Sequence, residues 1–436
     1  MYIYFISFGC KVNLYETEYM KQTFEAAGFG IASEESEADG FVVNSCTVTG
    51  TGDKKVRQTL HRLRREYPDA VIALTGCLPQ AFEEESRQLP ADIITGTKER
   101  GRLHEHFAAF AAEGRRIVDV SAYTQTDGFE SMKSSGYEKK TRAFVKIQDG
   151  CNQFCSYCII PYARGRVRSK PLAELEAEVN ELAENGYWEF VLTGINLCFY
   201  GGGEGMSLAD AVEVCCKTDG IERVRLGSLE PEKISDEDIA RMSSQEKLCP
   251  QFHLSLQSGC DRTLRAMNRR YTSAEYAELV EKLRLAFHDC AVTTDVMVGF
   301  PGETEEDFAE SVEFARKIGF ARVHVFPYSP RNGTKAAQMS GQVSAKVKAE
   351  RAAVMAVEMR RSADDFLHKM VGKEFPILFE RENEPNYYHG YTPNYTLVRI
   401  HRENDKKSLR NRIFCVKIIG VDNDGCIGEI CHEAEA

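Results

Sequence analysis

Three cysteines lie close together in one short segment of the chain, at Cys151, Cys155 and Cys158. The segment follows a run, 144–148, whose composition predicts a β-strand. A zinc site would need a fourth ligand nearby. A [4Fe-4S] cube usually takes four thiolates, so three of them would leave one iron open to another ligand. Ferredoxin-like carriers have a different spacing, and three structural cysteines are the other alternative, so the segment predicts a cluster site.

The members of a second set of cysteines are far apart in the sequence, but each has the same position relative to a predicted strand. Cys10, Cys46 and Cys77 each come just after a strand-like run, namely 2–7, 40–44 and 71–75. Open α/β sheets assemble their sites at the carboxyl ends of parallel strands, where three such thiols could meet. A single cysteine after a strand is usually a small core residue. The residues alone therefore leave two interpretations open: structural cysteines, or a second [4Fe-4S] cluster.

Composition limits the class of protein. The chain has 436 residues, enough for two to four domains, and 43% hydrophobic and 28% charged residues, as in soluble globular proteins. No apolar run approaches the roughly 18 residues of a membrane span and no signal peptide opens the chain, so we expect a cytoplasmic protein without a membrane partner. Fifteen cysteines then indicate metal or redox chemistry. The net charge of −11 restricts any nucleic-acid partner to local basic patches.

The pattern of elements predicts an α/β protein of three domains. Residues 1–120 alternate strand and helix signals, which indicates a doubly wound parallel sheet. Residues 121–142 are rich in Ser, Gly, Thr and Lys, which is typical of a linker. Six βα units within 143–370 predict a partial (β/α)6 barrel, and the short β runs of 371–436 predict a small antiparallel β-barrel.

Residues just beyond the predicted barrel strands, and one aromatic between the cluster cysteines, suit a ligand that carries a nucleoside and an amino acid. Each signal is weak alone, because a glycine after a strand more often makes a tight turn. The candidate cofactor-binding residues are Tyr157, Gly194, Asn196, Ser228, Glu230, Gln257 and Gly299.

Basic and aromatic residues form three candidate surfaces for RNA. They lie on a strongly basic predicted helix, directly after the cysteine segment, and in the last domain, where aromatics alternate with charge. A solvated charged face and a structural cap are the plainer interpretations of these surfaces. The candidates are Arg57, Arg64, Arg65, Arg166, Arg168, Tyr391, Lys406 and Arg410.

The order of the domains and three motifs resemble the radical SAM methylthiotransferases. In that family an N-terminal methylthiotransferase domain precedes a radical SAM domain and an RNA-binding TRAM domain. The motifs are Gly9-Cys10-Lys11-Val12-Asn13-Leu14-Tyr15-Glu16-Thr17-Glu18, Asn44-Ser45-Cys46-Thr47-Val48-Thr49 and the run from Gly150 to Arg166. They are most similar to the branch that acts on threonylcarbamoyladenosine in tRNA, and the run Gly390-Tyr391-Thr392-Pro393-Asn394-Tyr395 fits that branch also.

The resemblance implies two [4Fe-4S] clusters and S-adenosylmethionine (SAM). Cys151, Cys155 and Cys158 would hold the cluster that binds and cleaves SAM and would be the catalytic cysteines, while Cys10, Cys46 and Cys77 would hold an auxiliary cluster. The implied reaction converts N6-threonylcarbamoyladenosine at position 37 of tRNA to its 2-methylthio derivative. One SAM is cleaved to a 5′-deoxyadenosyl radical and a second methylates a sulfur on the auxiliary cluster.

The same resemblance implies binding partners and leaves alternative functions open. The partners are the anticodon stem-loop of tRNA and an external reductant such as flavodoxin or ferredoxin, and we expect a monomer. The nearest rivals are methylthiolation of isopentenyladenosine-37 or of an aspartate on a ribosomal protein. A non-catalytic Fe–S protein that binds RNA and senses redox state is the alternative from another class. Open irons, which such a sensor does not need, favour the enzyme.

Overall fold

The computed structural model describes residues 1–137, 141–202, 205–380, 386–402 and 408–433. Lys406 lies outside these ranges, so the structure says nothing about its predicted RNA contact. Among the helices of the described chain, none is both long and apolar enough to cross a bilayer.

The N-terminal part contains one parallel six-stranded sheet with helices on both faces. Its strands are β1 (Tyr2–Ser7), β2 (Gly30–Ile31), β3 (Gly40–Ser45), β4 (Val71–Gly76), β5 (Ile93–Thr95) and β6 (Ile117–Asp119), in the order β2-β1-β3-β4-β5-β6. Its helices are α1 (Lys11–Ala26), α2 (Gly50–Glu66), α3 (Cys77–Ala81), α4 (Glu83–Arg87) and α5 (Leu103–Glu113). Apolar residues of α2 cover one face of the sheet, while those of α1 and α5 cover the other.

This sheet confirms the doubly wound prediction and adds two edge strands. The sequence pattern did not reveal β2 and β6, because each has only two or three residues and lacks a fully buried face. The order of the inner strands matters for the site: β1, β3 and β4 are direct neighbours. The three N-terminal cysteines therefore follow adjacent strands.

The central part is the predicted partial barrel of parallel strands, together with a short antiparallel sheet formed by residues 148–149 and 168–169. Its strands are β7 (Arg142–Lys146), β8 (Gln148–Asp149), β9 (Arg168–Ser169), β10 (Glu189–Thr193), β11 (Arg223–Leu226), β12 (Ser228–Leu229), β13 (Gln251–Leu254), β14 (Ala291–Val298) and β15 (Arg322–Pro327). Its helices are α6 (Ile160–Arg164), α7 (Leu172–Glu184), α8 (Leu208–Lys217), α9 (Asp236–Ser243), α10 (Asp261–Ala266), α11 (Ser273–Ala286), α12 (Glu305–Ile318) and α13 (Ala345–His368).

The barrel wall consists of two parallel sheets joined through Gly227. One has the order β11-β10-β7 and the other β12-β13-β14-β15, which leaves β7 and β15 as the outer strands of the described wall. Helix α12 begins with the predicted capping box of Thr304 and Asp307 and ends at Gly319, because each terminus satisfies backbone groups that the helix leaves free.

The C-terminal part is a closed five-stranded barrel, as predicted. Its strands are β16 (Glu374–Phe379), β17 (Tyr387–Tyr391), β18 (Leu397–His401), β19 (Ile413–Asp422) and β20 (Gly425–Glu433), in the order β16-β17-β18-β20-β19. Strand β17 was not predicted, because its aromatic residues indicated a stacking surface rather than a strand.

The C-terminal barrel closes the amino-terminal end of the central barrel. Arg223 and Arg225 at the start of β11 donate hydrogen bonds to the backbone oxygens of Tyr391 and Pro393, both at 2.9 Å. The side chain of Asn394 donates to the backbone oxygen of Asp289 at 3.0 Å. The loop between β17 and β18 therefore forms the floor of the central barrel.

Candidate active site

The Cys151–Cys158 loop leaves β8 and is fixed by backbone hydrogen bonds. The amide of Cys151 donates to the oxygen of Gly165 at 3.1 Å, and that of Ser156 donates to the oxygen of Met267 at 2.9 Å. Gly150, just before the first cysteine, has φ +73°, and a Cβ there would lie 1.8 Å from the oxygen of Arg166. The turn that starts the loop therefore requires glycine.

The thiols of this loop share a buried, polarised environment. Burial raises the pKa of Cys151 to about 11, and it also raises the pKa of Cys158, to which the neighbouring thiols of Cys155 and Cys151 contribute. Donors point at the sulfurs: Arg269 Nη1 is 3.4 Å from Cys155 Sγ, and Asn196 Nδ2 is 4.0 Å from Cys151 Sγ. Such donors stabilise thiolates, the form that binds iron.

Cys10, Cys46 and Cys77 meet at the carboxyl edge of the N-terminal sheet. Burial raises the pKa of Cys46 to about 12, and the thiols of Cys77 and Cys10 both add to the shift. Gly9 has φ +103°, and a Cβ there would lie 2.8 Å from Cys46 Sγ. Glycine at this position therefore permits the first and second cysteine loops to approach each other.

The spacing of both triads is wider than one metal ion requires. Zinc–thiolate bonds of about 2.3 Å place tetrahedral ligands about 3.8 Å apart. In the described chain, the three-residue group whose donor atoms all lie within 4.8 Å of one another is Glu374, Cys415 and Cys431, on the C-terminal barrel. Neither triad meets that limit, although the thiols within each interact electrostatically. This spacing fits a polynuclear cluster, in which each thiolate binds a different iron.

One buried guanidinium joins the two triads. Arg164 Nε is 3.3 Å from Cys77 Sγ, and the same side chain binds Glu16 at 2.6 Å and Asp149 at 3.3 Å. Asp149 in turn accepts the amide of Gly150 at 2.8 Å, directly before Cys151. A chain of contacts therefore runs from the auxiliary triad to the loop of the other triad.

The acids of this network are ionised despite complete burial. Burial alone would raise the pKa of Glu16, but Arg100, Arg164 and Lys146 together lower it to about 2. Lys146 and Arg164 likewise hold the pKa of Asp149 well below its ordinary value against the opposing effect of burial. The network is a set of compensated buried charges at the domain junction.

The predicted cofactor residues lie around the Cys151–Cys158 loop. Asn196 Oδ1 and Gln257 Oε1 are buried acceptors with no hydrogen-bond partner among the described residues. Glu230 is paired with Arg269. Gly194 and Ser228 line a cavity that also includes Cys10. These two orphaned acceptors, of which Asn196 also approaches Cys151, suit a polar ligand, as SAM would be.

The remaining two cofactor candidates lie in an aromatic cluster. The ring of Tyr157 packs edge-on against Phe300, with centroids 6.5 Å apart. The amide of Gly299 donates to the carboxylate of Glu303 at 3.0 Å. A contact of Gly299 with the adenine of SAM stays a prediction.

The basic helix α2 presents the first RNA candidates. Arg57 pairs with Glu85 at 2.8 Å, and Arg64 donates to the oxygens of Pro68 and Ala70 while pairing with Asp92. Arg65 is 73% exposed. An open groove of about 660 Å³ runs along this helix and includes Arg57 and Arg65.

The other RNA candidates differ in their surroundings. Arg166 is exposed and lies 6.0 Å from the ring of Phe154, which is itself 41% exposed. Arg168 is buried, where it bonds two backbone oxygens and lies 4.5 Å from the ring of Tyr123. RNA could reach Arg168 only if those contacts were released.

The last domain contributes two described candidates. Tyr391 stacks on Tyr395 with centroids 4.8 Å apart, and the guanidinium of Arg142 lies over both rings. Tyr391 therefore belongs to the contact between the two barrels. Arg410 is partly buried.

A cavity of about 550 Å³ fills the lumen of the central barrel, from the Cys10 loop to the loop after β17. Polar side chains alternate along its strands, since every second residue faces inward. The polar lining residues of β13, β14 and β15 are Gln251, His253, Thr293, Asp295, Arg322 and His324, and Ala291 of β14 also lines the cavity. Sequence reasoning missed this lining, although polar residues at alternate positions of otherwise apolar strands were a usable signal. It noted Arg164 and Arg269 as positive charge beside the cysteine loop, but not their contacts with the sulfurs of Cys77 and Cys155.

The chain matches two protein-family models and several known proteins. Residues 145–315 match the Radical SAM superfamily and residues 2–96 match Uncharacterized protein family UPF0004. The chain is 38% identical over 426 residues to the threonylcarbamoyladenosine tRNA methylthiotransferase MtaB of Bacillus subtilis, covering 95% of this chain and 93% of that protein. The chain belongs to the radical SAM methylthiotransferase family.

Two further relatives differ from each other in the nucleoside that their names give. The MtaB protein of Thermotoga maritima is 40% identical, covering 86% of this chain and 85% of that protein. The tRNA-2-methylthio-N(6)-dimethylallyladenosine synthase of Caldicellulosiruptor saccharolyticus is 37% identical, covering 87% and 82%. The methylthiotransferase is therefore a transferase of the MtaB and dimethylallyladenosine-synthase type, and its radical SAM domain brings SAM and a [4Fe-4S] cluster as cofactors.

A solved structure supports the fold of the methylthiotransferase. The radical SAM methyltransferase TsrM from Kitasatospora setae superposes with a TM-score of 0.57 at 14% identity, covering 77% of this chain and 74% of that chain. At this identity the match supports the architecture alone.

Proposed function

We propose that this methylthiotransferase converts N6-threonylcarbamoyladenosine at position 37 of tRNA to its 2-methylthio derivative, using two SAM molecules and two [4Fe-4S] clusters. Cys151, Cys155 and Cys158 hold the SAM-cleaving cluster, and Cys10, Cys46 and Cys77 hold the auxiliary one. The observation that carries this proposal is the pair of widely spaced thiol triads joined through Arg164. Two open clusters at one junction match a reaction that needs both an electron-driven cleavage and a sulfur donor.

The names of the relatives do not choose between the two nucleosides, because their identities to this chain differ by little. The lumen cavity is more informative. Apart from Ala291, its lining residues on β13–β15 are polar or charged, while Val12, Leu226, Phe366, Leu367 and Leu397 line other sides. A threonylcarbamoyl group carries a carboxylate, a hydroxyl and a urea, each of which needs a hydrogen-bond partner when buried, whereas an isopentenyl group needs an apolar wall. The lining therefore supports the threonylcarbamoyl substrate.

The cofactors, when bound, supply the one-electron and sulfur chemistry that no side chain offers. The protein itself positions these groups and supplies the charges around them. Arg269 donates to Cys155 and is held by Glu230, which fixes the guanidinium beside the cluster loop. Arg164 does the same for Cys77 from its ion pairs with Glu16 and Asp149. Both place a permanent positive charge beside a thiolate.

Asn196 and Gln257 are the best-supported contacts to SAM, because each has a buried acceptor free in the described structure. Tyr157, Gly194, Ser228, Glu230 and Gly299 complete the proposed SAM site. For the anticodon stem-loop we propose the exposed Arg65 and Arg166, with Arg57, Arg64 and Arg410 beside them. The proposed setting is the cytoplasm, with flavodoxin or ferredoxin as electron donor.

The decisive experiment offers the reconstituted, reduced enzyme two tRNAs that differ only at nucleotide 37, one with the threonylcarbamoyl group and one with the isopentenyl group. Nucleoside mass spectrometry should find 2-methylthio product mainly from the first. Product mainly from the second would move the enzyme to the other branch, and product from neither would overturn the proposal.

Iron analysis tests the second cluster separately. The wild-type chain should bind about eight irons, and the Cys46→Ser variant about four, because loss of one triad removes one cube. Cys290→Ser is the matched control, since Cys290 is similarly buried but belongs to neither triad, and it should keep about eight. Four irons in the wild type would contradict the auxiliary cluster.

A further inference from the structure

Two cations line the lumen cavity without an ion pair to any carboxylate of the described residues. Arg322 is at the start of β15, faces the cavity and makes no hydrogen bond or ion pair with the described part of the chain. Lys11 reaches the cavity from the Cys10 loop. Its ammonium lies 6.0 Å from the ring centroid of Phe144 and interacts at longer range with the carboxylate of Glu189, without an ion pair among the described residues. Elsewhere in this barrel, inward cations such as Arg225 are paired, here with Glu189 at 2.8 Å.

The carboxylates that line the cavity are already bound to other groups. Asp295 pairs with His253 at 3.3 Å, and Asp424 pairs with Arg399 at 2.9 Å. Neither is within ion-pair distance of Arg322 or Lys11. Arg399 and, at longer range, Arg322 lower the pKa of Asp424, but Arg322 forms no ion pair with it. The guanidinium therefore keeps its hydrogen-bond donors free among the described residues, beside a cavity of about 550 Å³ that can admit a ligand group.

An unpaired guanidinium in a concave site is a ready receptor for one anion. Its planar fork matches a carboxylate through two parallel hydrogen bonds, which gives both affinity and geometric selection. The neighbours suit the rest of such a ligand. Thr293 and His253 contact each other at 3.1 Å and His324 lies beside them, so hydroxyl and imidazole groups surround the charge.

We propose that Arg322, assisted by Lys11, binds the carboxylate of the amino-acid group on the substrate nucleoside and is the residue that selects this substrate over one with an uncharged N6 group. The inference rests on the proposed function, since it concerns the same cavity. It goes further in naming the specificity determinant and its chemistry. Arg322 is at the amino-terminal end of β15 and lines the cavity that Cys10 also borders, but it makes no hydrogen bond to a triad sulfur in the described structure. Its role is therefore in substrate selection and not in SAM cleavage.

The test combines a variant with a changed substrate. Arg322→Ala should raise KM for threonylcarbamoyl tRNA by about 10- to 100-fold, the usual effect of losing a charge-assisted hydrogen-bond pair, with a small change in kcat. Arg322→Lys should recover part of the loss, because it keeps the charge but not the fork. Arg316→Ala on the outer face of the preceding helix is the matched control and should leave KM unchanged, since that side chain is 61% exposed.

The second arm uses tRNA whose threonyl carboxylate is neutralised as an amide. The wild-type enzyme should lose about the same factor in kcat/KM with the amide, and Arg322→Ala should lose little more, because both changes remove one interaction. Iron content and SAM cleavage measured on every variant show whether it is folded and loaded.

Each outcome decides something. An unchanged KM in a loaded Arg322→Ala enzyme, or a wild-type enzyme that uses the carboxylate and the amide equally well, overturns the role of Arg322 and leaves the proposed function standing. If Arg322→Ala does not load iron, the Arg322→Lys enzyme with the two substrates decides the question: discrimination equal to wild type without any rise in KM overturns the role. No product from wild type with threonylcarbamoyl tRNA overturns both proposals.

Discussion

The two thiol triads are chemically alike and architecturally opposite. Cys151, Cys155 and Cys158 come from one loop that backbone hydrogen bonds hold in shape. Cys10, Cys46 and Cys77 come from three loops that only the order of β1, β3 and β4 brings together. Both have a glycine at a positive φ before a cysteine and a guanidinium on one sulfur. The comparison teaches that three thiols can be brought together by spacing or by topology, with the same local chemistry.

The largest expected difference between the triads is in which activity each supports. Cys155→Ser should abolish both SAM cleavage and methylthiolation, whereas Cys77→Ser should abolish methylthiolation and leave SAM cleavage. Loss of a ligand should exceed the roughly 10- to 100-fold typical of changes around a metal site. Chromatography of 5′-deoxyadenosine and mass spectrometry of the tRNA measure the two activities, and equal loss of both in Cys77→Ser would contradict this division.

The topological triad should depend more strongly on the domain junction. Arg164→Gln leaves Glu16 and Asp149 with fewer compensating charges in a fully buried site, which should cost about 3–5 kcal/mol of unfolding free energy. Denaturant unfolding measures this cost, with Arg102→Gln, a 62% exposed arginine, as control. The auxiliary irons should be lost before those of the other cluster. Equal stability of the two variants would show that the network is not a stabilising one.

Glycine substitutions compare the two turns. Gly9→Ala should displace the Cys46 loop, and Gly150→Ala should clash with the backbone of Arg166. Each forces a strained φ that costs about 1–3 kcal/mol. Gly9→Ala should lower only the auxiliary iron content and Gly150→Ala only the other, as iron analysis and absorption spectra would show. A variant that lost both clusters would indicate that the triads assemble as one unit.

The smallest effect concerns the cluster-free chain. With pKa values of about 11 for Cys151 and about 12 for Cys46, both thiols are mostly protonated below those values. The thiolate is the reactive form, so at pH 9 Cys151 should be alkylated faster than Cys46, by about 3-fold, because its larger thiolate fraction is partly offset by the weaker nucleophilicity of a thiolate of lower pKa. Reactivity of each should rise with pH until its pKa is passed. Peptide mass spectrometry after timed alkylation gives the two rates, and a faster Cys46 would contradict the burial argument.

The sequence predicted the features that depend on local spacing or on strand ends. The Cys151–Cys158 loop could be predicted because its three cysteines are close together in the sequence. Cys10, Cys46 and Cys77 could be predicted as a set because each follows a buried strand. Contacts between residues that are distant in the chain could not be predicted. Nothing local shows that Arg168 is buried against Tyr123, or that Tyr391 stacks under Arg142, because those contacts form only when domains dock. Arg164, adjacent to the predicted loop, was missed as a contact of Cys77 for the same reason.

The floor of the central barrel has a consequence for how such enzymes can diverge. The loop after β17 belongs to the C-terminal barrel, yet it seals the chamber in which the nucleoside would lie. Replacing the C-terminal barrel with a different module would also remove the hydrogen-bond acceptors of Arg223 and Arg225. It would open the floor of the central barrel to bulk water. The C-terminal barrel and the cavity that it closes must therefore evolve together.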